Sequence, residues 1–270
     1  MIDSKLNKLI KKKKVIIVGP SPHLKNKKKG SFIDSFDCVI RINEIGINEN
    51  LHEDYGSKTD ISFLTLSEDS LIVYQQMKKS LNYSSLKMVV HAGDEHNLNP
   101  FANVAKSRNI FDIFNELNLE TDFYHIEKPS FSERCKEFNS FPSTGSLAIQ
   151  EILKYEFHNL YICGYSFFTT KYMYNKNRQK FEILVSDKKA KHNIRMSGHN
   201  TRQEVKILKD IIRNDPRVDG DKFFRRIILS KTNLYYELRR FIIYKLNFDN
   251  YKNIIKMLLR KLNQMINFKD

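Results

Sequence analysis

Residues 15–43, VIIVGPSPHLKNKKKGSFIDSFDCVIRIN, decide the fold that the sequence predicts. Their first four residues, Val15–Val18, are apolar and β-branched, and a Gly-Pro-Ser-Pro turn follows them. A run of this kind, bounded by lysines and by a turn, is typical of a buried strand. In open α/β sheets the ligand lies just beyond the carboxyl ends of such strands. We therefore expect Gly19 to let the backbone approach a ligand closely and Ser21 to offer its hydroxyl.

Strand-like and helix-like segments alternate along the rest of the chain. The alternation predicts an α/β fold, in which helices cover both faces of a mainly parallel sheet. The GxGxxG pattern is absent, and the sequence therefore does not support a dinucleotide site. The predicted strands after the first are Phe36–Ile42, Asp60–Leu66, Leu86–His91, Phe123–Ile126 and Asn159–Cys163, and the predicted helices are Glu68–Lys79, Pro100–Leu117, Leu147–Phe157 and Asn200–Asn214.

The composition indicates a folded, basic protein. Hydrophobic residues make up 41% of the chain and aromatic residues 12%, which is enough for a large core. The formal net charge of +15 favours an anionic partner, such as an anionic lipid, a phosphorylated substrate or a nucleic acid. Cys38, Cys135 and Cys163 form no CxxC pair and are typical of free, mostly buried thiols in a reducing compartment. Because we find neither a signal-peptide core nor an apolar run of about 20 residues, we expect a cytoplasmic protein.

The distribution of charge predicts three parts. A basic lead-in, residues 1–14, precedes a domain of residues 15–219, and residues 220–270 form a tail. From Asp221 onward twelve Lys and Arg stand against four Asp and Glu, a net charge of +8. Apolar residues recur in the tail at helical spacing, as in cationic amphipathic helices that lie on an anionic membrane. The alternative is a helical tail that packs on the domain and exposes a solvated basic face.

Three further segments are candidates for a ligand site. Pro142–Gly145 precedes an apolar-periodic run, so that Ser143 or Thr144 caps a helix whose amides either face an anion or need no ligand. Residues 165–198 are rich in Tyr and Lys and show little helical spacing, which predicts a lid. The lysines of Lys25–Lys29 belong either to a solvated loop or to a surface that attracts an anion to the site.

Six stretches carry the most specific signal: VIIVGPSPHL, GSFIDSFDCVIRINE, DYGSKTD, FPSTGSLAIQEIL, NLYICGYSFF and HNTRQE. Taken in this order, they resemble the animal sialyltransferases, glycosyltransferase family 29, and more distantly the bacterial lipooligosaccharide sialyltransferases of family 42. The first three look like the long sialylmotif of that family, the next two like its short sialylmotif, and HNTRQE like its last motif. The likeness spans residues 15–208.

The resemblance implies a Rossmann-like variant of the GT-A fold and an inverting, metal-independent transferase that uses a CMP-activated acidic sugar, without a cofactor. It also implies that His199 is the general base. The donor contacts that it implies are Asn43 for the nucleotide, Ser143, Thr144 and Gly145 for the short-motif loop, Gly164 and Tyr165 for the closing segment, and Tyr174 for the phosphate.

The chain departs from the family pattern at two places. Residues 19–22 read Gly-Pro-Ser-Pro where the animal family has Gly-Asn-Ser-Gly, so that the Asn contact to the nucleotide is missing and Pro20 offers no N–H. Val15 and Glu156 occupy the places of the cysteine pair of the family. The loss of that pair agrees with a reducing cytoplasm.

The expected chemistry gives roles to two residues of the last motif. The acceptor hydroxyl loses its proton as it attacks the anomeric carbon, and an imidazole, here expected from His199, is the natural base for this step near neutral pH. Glu204 is expected to orient His199, to cap nearby amides or to be a carboxylate on a helix surface. Asp219 and Asp221 have the Asp-x-Asp spacing of metal-dependent glycosyltransferases, but a turn just before a helix is better explained as an N-cap.

Three functions remain open from the sequence. The first is a cytoplasmic enzyme, peripheral at the inner face of the membrane, that adds sialic acid or a related acid sugar to a bacterial surface glycan or glycolipid. The second keeps the fold and the base but uses CMP-Kdo as the donor. The third is a non-catalytic basic protein that binds membrane or nucleic acid, which the sequence favours least because most of the charge lies outside the motif-bearing region.

Overall fold

The computed structural model describes residues 4–66, 71, 74–75, 77–79, 81–93, 109–167, 199–213, 215–230 and 233–245. Several predictions fall outside the described residues: the phosphate contact Tyr174, nearly all of the lid and the last part of the tail. Parts of the two helices predicted between residues 68 and 117 also fall outside them.

Seven strands form one sheet in the order β5-β4-β3-β2-β1-β6-β7, and every neighbouring pair is parallel. Helices flank this sheet, and the predicted α/β fold with a parallel sheet is therefore confirmed. The strands are β1 Lys14–Val18, β2 Cys38–Ile42, β3 Ile61–Leu64, β4 Met88–His91, β5 Asp122–His125, β6 Asn159–Cys163 and β7 Val218–Gly220.

The helices connect these strands, and some are single turns. Short 3-10 turns at Pro22–Leu24 and Glu49–Leu51 precede α2 and α3, and a π-helical turn, Arg225–Leu229, continues α8. The helices are α1 Ser4–Ile10, α2 Gly30–Asp34, α3 His52–Tyr55, α4 Ile110–Leu117, α5 Lys128–Phe138, α6 Thr144–Ile152, α7 Thr201–Ile212, α8 Lys222–Phe224 and α9 Leu234–Lys245.

The strand order reverses at β1. Val18, the last residue of β1, pairs with Arg41 of β2 on one side and with Cys163 of β6 on the other. The chain builds outward from β1 toward β5, whereas β6 and β7 add to the opposite side. In open α/β sheets a crevice forms outside the carboxyl ends of the strands at such a switch point. The residues that follow β1, β2 and β6 therefore meet at one crevice.

Both faces of β1 are buried from Val15 to Val18, which explains the uninterrupted apolar run of these four residues. Val15 and Ile17 belong to the main core cluster, whereas Ile16 and Val18 belong to a second cluster on the opposite face of the sheet. Because successive side chains of a strand point to opposite faces, a strand covered on both faces needs apolar residues at every position.

Residues beyond both predicted domain boundaries belong to the same core. Leu6 and Ile10 of α1 are fully buried in the main cluster. Phe224, Ile227 and Ile228, which follow β7, are also fully buried there. The described first part of the predicted tail thus packs on the domain. Within the part of the chain that the structure describes, we find no helix with the length and apolarity needed to cross a membrane.

The segment Val218–Gly220 is a strand, although the sequence predicts a turn there. β7 pairs with β6, in which Leu160 lies opposite Val218 and Ile162 opposite Gly220. Asp221 follows directly and caps α8, because its side chain accepts a hydrogen bond from the Phe224 N–H. The predicted N-cap is therefore confirmed, one residue beyond the edge of the sheet.

Arg41 links two segments of the long motif. Its side chain is charged, yet it lies in the central strand of the sheet and is only 1% exposed. The guanidinium donates hydrogen bonds to the carbonyl groups of Tyr55, Gly56 and Lys58 and to the hydroxyl of Thr59. A buried charge of this kind is tolerated because its donors are satisfied. The side chain of Arg41 in the stretch RIN thus holds the backbone of the stretch DYGSKTD in place, which explains why the two stretches belong to one motif.

Candidate active site

A pocket of about 190 Å³ lies at the switch point, beyond the carboxyl ends of β1, β2, β3 and β6. The structure brings most of the predicted site residues to its wall. The predicted residues that line it are Ser21, Asn43, Ser143, Thr144, Gly145, Gly164, Tyr165 and His199.

His199 lies immediately before α7, and a hydrogen bond fixes its ring. Its Nδ1 is 2.7 Å from the carbonyl oxygen of Phe141. Because a carbonyl oxygen only accepts, Nδ1 carries the proton of the neutral imidazole and the lone pair belongs to Nε2. Asn200 strengthens the same junction, since its N–H donates to Ser140 Oγ at 3.1 Å. The last motif is thereby attached to the residues that precede the short-motif helix.

The N-terminus of α6 faces the pocket with a capped first turn. Ser143 is the N-cap, and its Oγ accepts a hydrogen bond from the Ser146 N–H at 3.3 Å. The same hydroxyl donates to Glu204 Oε2 at 2.6 Å. The hydroxyl of Ser143 thus forms its hydrogen bonds within the protein. The part of α6 that lines the pocket is its first turn, whose backbone amides have no partner inside the helix.

Glu204 is a buried carboxylate below the start of α6. Its side chain is 1% exposed, so the interpretation as a helix-surface carboxylate is wrong. Oε1 accepts a hydrogen bond from the Ser143 N–H at 3.1 Å, and Oε2 accepts from the hydroxyls of Ser143 and Ser146. Of its predicted roles, the capping of a nearby amide is the one observed. A negative charge at this place also complements the helix dipole of α6.

Tyr165 and Gly145 fit together across the pocket wall. The Tyr165 hydroxyl is 2.8 Å from Ser143 Oγ and 3.3 Å from Ser146 Oγ. A Cβ atom on Gly145 would lie 2.2 Å from a ring carbon of Tyr165. The glycine of the short motif is therefore required by the tyrosine of its closing segment, and both position the start of α6.

Gly19 packs closely against the end of the neighbouring strand. A Cβ atom at Gly19 would lie 2.5 Å from the carbonyl oxygen of Gly164, and the Gly19 N–H donates to the Cys163 carbonyl at 2.8 Å. Gly164 has a φ of 64°, which glycine adopts without strain. The small size of Gly19 thus admits the end of the neighbouring strand. Gly19 is not among the residues that line the pocket, and its expected approach to a ligand stays a prediction.

Asn43 and two threonines form another part of the pocket wall. Asn43 has a φ of 57°, a conformation that Asn tolerates better than most residues. Its Oδ1 accepts a hydrogen bond from the Thr65 N–H at 3.3 Å, so that its side-chain nitrogen is the group that can donate to a ligand. Thr65 Oγ1 lies 2.7 Å from Thr144 Oγ1 and joins β3 to α6. The sequence prediction missed Thr65, which its place at the end of β3 could have revealed.

Ser21 begins a chain of hydrogen bonds that the sequence prediction also missed. Ser21 Oγ is 2.7 Å from His23 Nδ1, and His23 Nε2 is 2.8 Å from Asp221 Oδ2. Asp221 also accepts hydrogen bonds from the N–H groups of Gly164 and Phe224. Burial raises the pKa of Asp221, but His23 and these amides outweigh it and hold that pKa below its ordinary value. The spacing Ser-x-His was the signal available for His23, whereas Asp221 is far away in sequence.

The cysteines are free thiols, as predicted. Cys38 and Cys163 are buried, and burial raises the pKa of Cys38 to about 12. In the described part of the chain, no group of three or more His, Cys, Asp or Glu side chains is arranged to hold a metal ion.

Comparison with known proteins identifies one family. The sequence model of glycosyltransferase family 29 (sialyltransferase) matches residues 5–215. Among solved structures, a mammalian sialyltransferase in complex with Gal-beta-1-3GalNAc-ortho-nitrophenol is 16% identical with a TM-score of 0.48, covering 82% of this chain and 74% of its own. The sialyltransferase CstII from Campylobacter jejuni, in complex with CMP-3FNeuAc, is 15% identical with a TM-score of 0.45, covering 82% of this chain and 87% of its own. No curated protein matches the chain.

Proposed function

Because the chain belongs to glycosyltransferase family 29, the sialyltransferases, we propose that it transfers sialic acid from CMP-sialic acid to a hydroxyl group of a glycan, with inversion at the anomeric carbon. The chain is a glycosyltransferase of a family that uses this donor. Three points go beyond family membership and are our proposal: the catalytic base, the stereochemistry and the acceptor.

One observation supports the proposal above all others: His199 and the start of α6 line the same pocket at the switch point of the sheet. The three segments that meet there are far apart in the sequence, and each carries one of the recognised motifs. A pocket that combines an imidazole with helix-start amides has the two groups that this reaction requires, a base and a site for negative charge.

The proposed reaction is a single displacement. The acceptor oxygen forms a bond to the anomeric carbon while the bond from that carbon to the phosphate oxygen of CMP breaks. The acceptor proton passes to Nε2 of His199, because Nδ1–H already donates to the Phe141 carbonyl. The bonding electron pair leaves with CMP, and we assign the stabilisation of the departing phosphate to the backbone amides of Thr144 and Gly145 in the first turn of α6.

Metal independence is part of the proposal. A phosphate monoester is a good leaving group and needs less charge neutralisation than a diphosphate. Asp221, which belongs to the Asp-x-Asp pair, already accepts hydrogen bonds from His23, Gly164 and Phe224. We therefore assign this carboxylate to the fold rather than to a metal site.

The cellular setting is proposed from the sequence. We propose a cytoplasmic enzyme at the inner face of a membrane that modifies a bacterial surface glycan or glycolipid. The three free thiols, two of them buried, and the net charge of +15 support this setting.

A donor screen tests the proposal. The full-length chain is incubated with CMP-sialic acid or CMP-Kdo and a panel of galactose-terminated acceptors, in excess EDTA and in buffer with manganese, and the products are identified by mass spectrometry. We expect transfer from CMP-sialic acid that is equal with and without EDTA. If only CMP-Kdo supports transfer, the proposed donor is wrong and CMP-Kdo takes its place. If EDTA abolishes activity and manganese restores it, the enzyme depends on a metal and that part of the proposal is overturned.

A further inference from the structure

A second cavity, of about 410 Å³, lies beside the face of the sheet that carries Tyr161 and Cys163. The turn Pro22–Leu24 and helix α2 form one side, and the residues that follow β7 form the other. This volume falls in the range of small-molecule and cofactor pockets, roughly 300–1,000 Å³. The cavity is separate from the candidate active site: the two pockets share no lining residue.

One wall of the second cavity is apolar and aromatic. Phe32 and Tyr161 pack edge to face with ring centroids 5.2 Å apart, and Phe223 meets Tyr235 in the same way at 5.9 Å. Leu24 adds an aliphatic side chain to the lining of the same cavity. Such walls offer a ligand an apolar body to pack against.

The rim of the second cavity is cationic. Five of the residues that line it are basic: Lys27, Lys29, Lys222, Arg226 and Arg239. The Arg239 guanidinium lies 4.7 Å from the Phe223 ring centroid, which holds a charge over the aromatic wall. Asp221 is the single acidic residue among the described residues that line the cavity, and its carboxylate already accepts hydrogen bonds from His23 and two amides.

We propose that this second cavity binds the phosphate-bearing head of an anionic membrane lipid. The aromatic wall would contact the apolar part of the lipid next to the head, and the rim would bind its phosphate through charge-assisted hydrogen bonds. The chain's own residues 246–270 are a poor occupant, because they carry five Lys and Arg against two Asp, the same sign of charge as the rim. Charge complementarity therefore favours an external anion.

A pair of charge-reversal variants tests the rim. Lys27→Glu with Lys222→Glu changes two exposed residues of the cavity, and Lys136→Glu with Lys206→Glu changes two exposed residues of α5 and α7, outside the cavity, by the same net charge. Binding of the full-length variants to vesicles of phosphatidylglycerol and of phosphatidylcholine is measured by co-sedimentation. We expect the cavity variant to bind phosphatidylglycerol at least about tenfold more weakly than the control variant. Equal losses in the two variants would overturn the proposal, because diffuse surface charge would then explain the binding.

A second pair of variants tests the apolar wall. Phe32 in the cavity and Phe111 in α4 are 42% and 41% exposed, so that Phe32→Ser and Phe111→Ser should perturb folding to a similar degree. Only Phe32→Ser should weaken binding to phosphatidylglycerol vesicles, and binding unchanged by Phe32→Ser would contradict a seated lipid. Inorganic phosphate is added as a soluble competitor of vesicle binding. If millimolar phosphate displaces the protein from phosphatidylglycerol vesicles as well as added lipid does, the cavity is a plain anion site and the lipid assignment is overturned.

Transfer to a soluble acceptor separates this proposal from the proposed function. The Lys27→Glu, Lys222→Glu variant should retain that transfer within about twofold, because neither lysine lines the candidate active site. Loss of soluble-acceptor transfer in this variant alone would indicate that the cavity belongs to the reaction site and would overturn the separate lipid site.

Discussion

Glu204 illustrates how much of the candidate site is held together by one residue. Its carboxylate accepts hydrogen bonds from the Ser143 amide and from two serine hydroxyls, and it is nearly inaccessible to solvent. A buried carboxylate is stable only when such donors surround it. The hydroxyl of Ser143 and the start of α6 therefore depend on a side chain that lies 61 residues away in sequence.

Replacement of Glu204 by Gln should destabilise the protein, because the charged acceptor is lost and the new amide NH2 faces donors. We expect a loss of about 2 kcal/mol in the free energy of unfolding, within the range for a hydrogen-bonded buried charge. Glu237→Gln is the matched control, since Glu237 pairs with Arg202 at 2.6 Å on the exposed surface and should cost less than about 1 kcal/mol. Urea unfolding measures both values, and equal costs would contradict the role of Glu204.

Asp221 should make the stability of the protein depend on pH. Its pKa lies below the ordinary value of 3.8, because His23 and two amides outweigh the effect of burial. Folding thus favours the ionised form, and this contribution is complete above a pH of about 5 and is lost as the pH falls through the folded pKa. Asp221→Asn should cost about 1–3 kcal/mol at neutral pH.

The pH series gives the sharper test of Asp221. The difference in unfolding free energy between wild type and Asp221→Asn should shrink as the pH falls from about 5 to about 3. Asp219→Asn, which removes a carboxylate paired with Arg225 at the surface, is the control. A difference that stays constant over this range would mean that Asp221 is not held in its ionised form.

The sequence shows which residues of the motifs are candidates for the site, but it does not show which contacts give each of them its role. In His199, the hydrogen bond from Nδ1–H to the Phe141 carbonyl leaves the lone pair on Nε2. Gly19 must be small because it packs against the backbone of Gly164. Each of these partners is distant in the sequence and becomes adjacent only when the sheet forms. Recognition of the motifs therefore located the residues, whereas their contacts required the structure.

At the scale of the elements, pairs of motif residues hold strand ends and the helix start together. Gly19 and Gly164 bring the ends of β1 and β6 into contact, and Gly145 admits the ring of Tyr165 beside α6. The two contacts differ in kind. The first is between backbones, which cannot yield, whereas the second involves a side chain.

Alanine at Gly19 should therefore cost more than alanine at Gly145. We expect about 3 kcal/mol for Gly19→Ala, at the upper end of overpacking costs. Gly145→Ala should cost about 1–2 kcal/mol, because alanine in the helix regains close to 1 kcal/mol of helix propensity. Chemical denaturation of both variants checks the order, and a larger cost at Gly145 would contradict the backbone contact between β1 and β6.

Among the elements that escaped prediction, β7 and α5 did so for identifiable physical reasons. β7 has three residues and includes an Asp-Gly pair, so that no strand periodicity is visible in it. In α5, Arg134 takes an inward position between Phe131 and Phe138 and pairs with the buried Glu151 at 2.6 Å. A helix whose buried face contains an ion pair gives a weak hydrophobic pattern. By contrast, β1, β2 and β6 consist mainly of apolar residues and were predicted to within two residues.

At the scale of the whole molecule, the core continues past the point where the motifs end. Phe224, Ile227 and Ile228 lie beyond the matched family region, which ends at residue 215, yet they are fully buried in the main cluster. The basic composition of this stretch had equally suggested a membrane tail. Interleaved aromatic and cationic residues fit both settings, and only the packing distinguishes them.

Two truncations follow from this packing. A chain that ends at residue 220 should not fold, because burial of each of these three side chains contributes about 1.5–3 kcal/mol, close in sum to the total stability of a domain. A chain that ends at residue 245 retains all three and should unfold cooperatively. Circular dichroism and thermal unfolding compare them. A folded, cooperative chain of 220 residues would show that the segment after β7 is dispensable to the core.

The decisive measurement concerns His199. Single-turnover transfer from CMP-sialic acid is compared for wild type, His199→Ala and the control His158→Ala, whose ring is exposed on the surface. His199→Ala should slow transfer by about 10²–10⁴-fold, the contribution of a general base, while the affinity for CMP changes by less than about threefold. Transfer by His199→Ala within about tenfold of the wild-type rate, with the fold intact, would show that this imidazole does not take the acceptor proton.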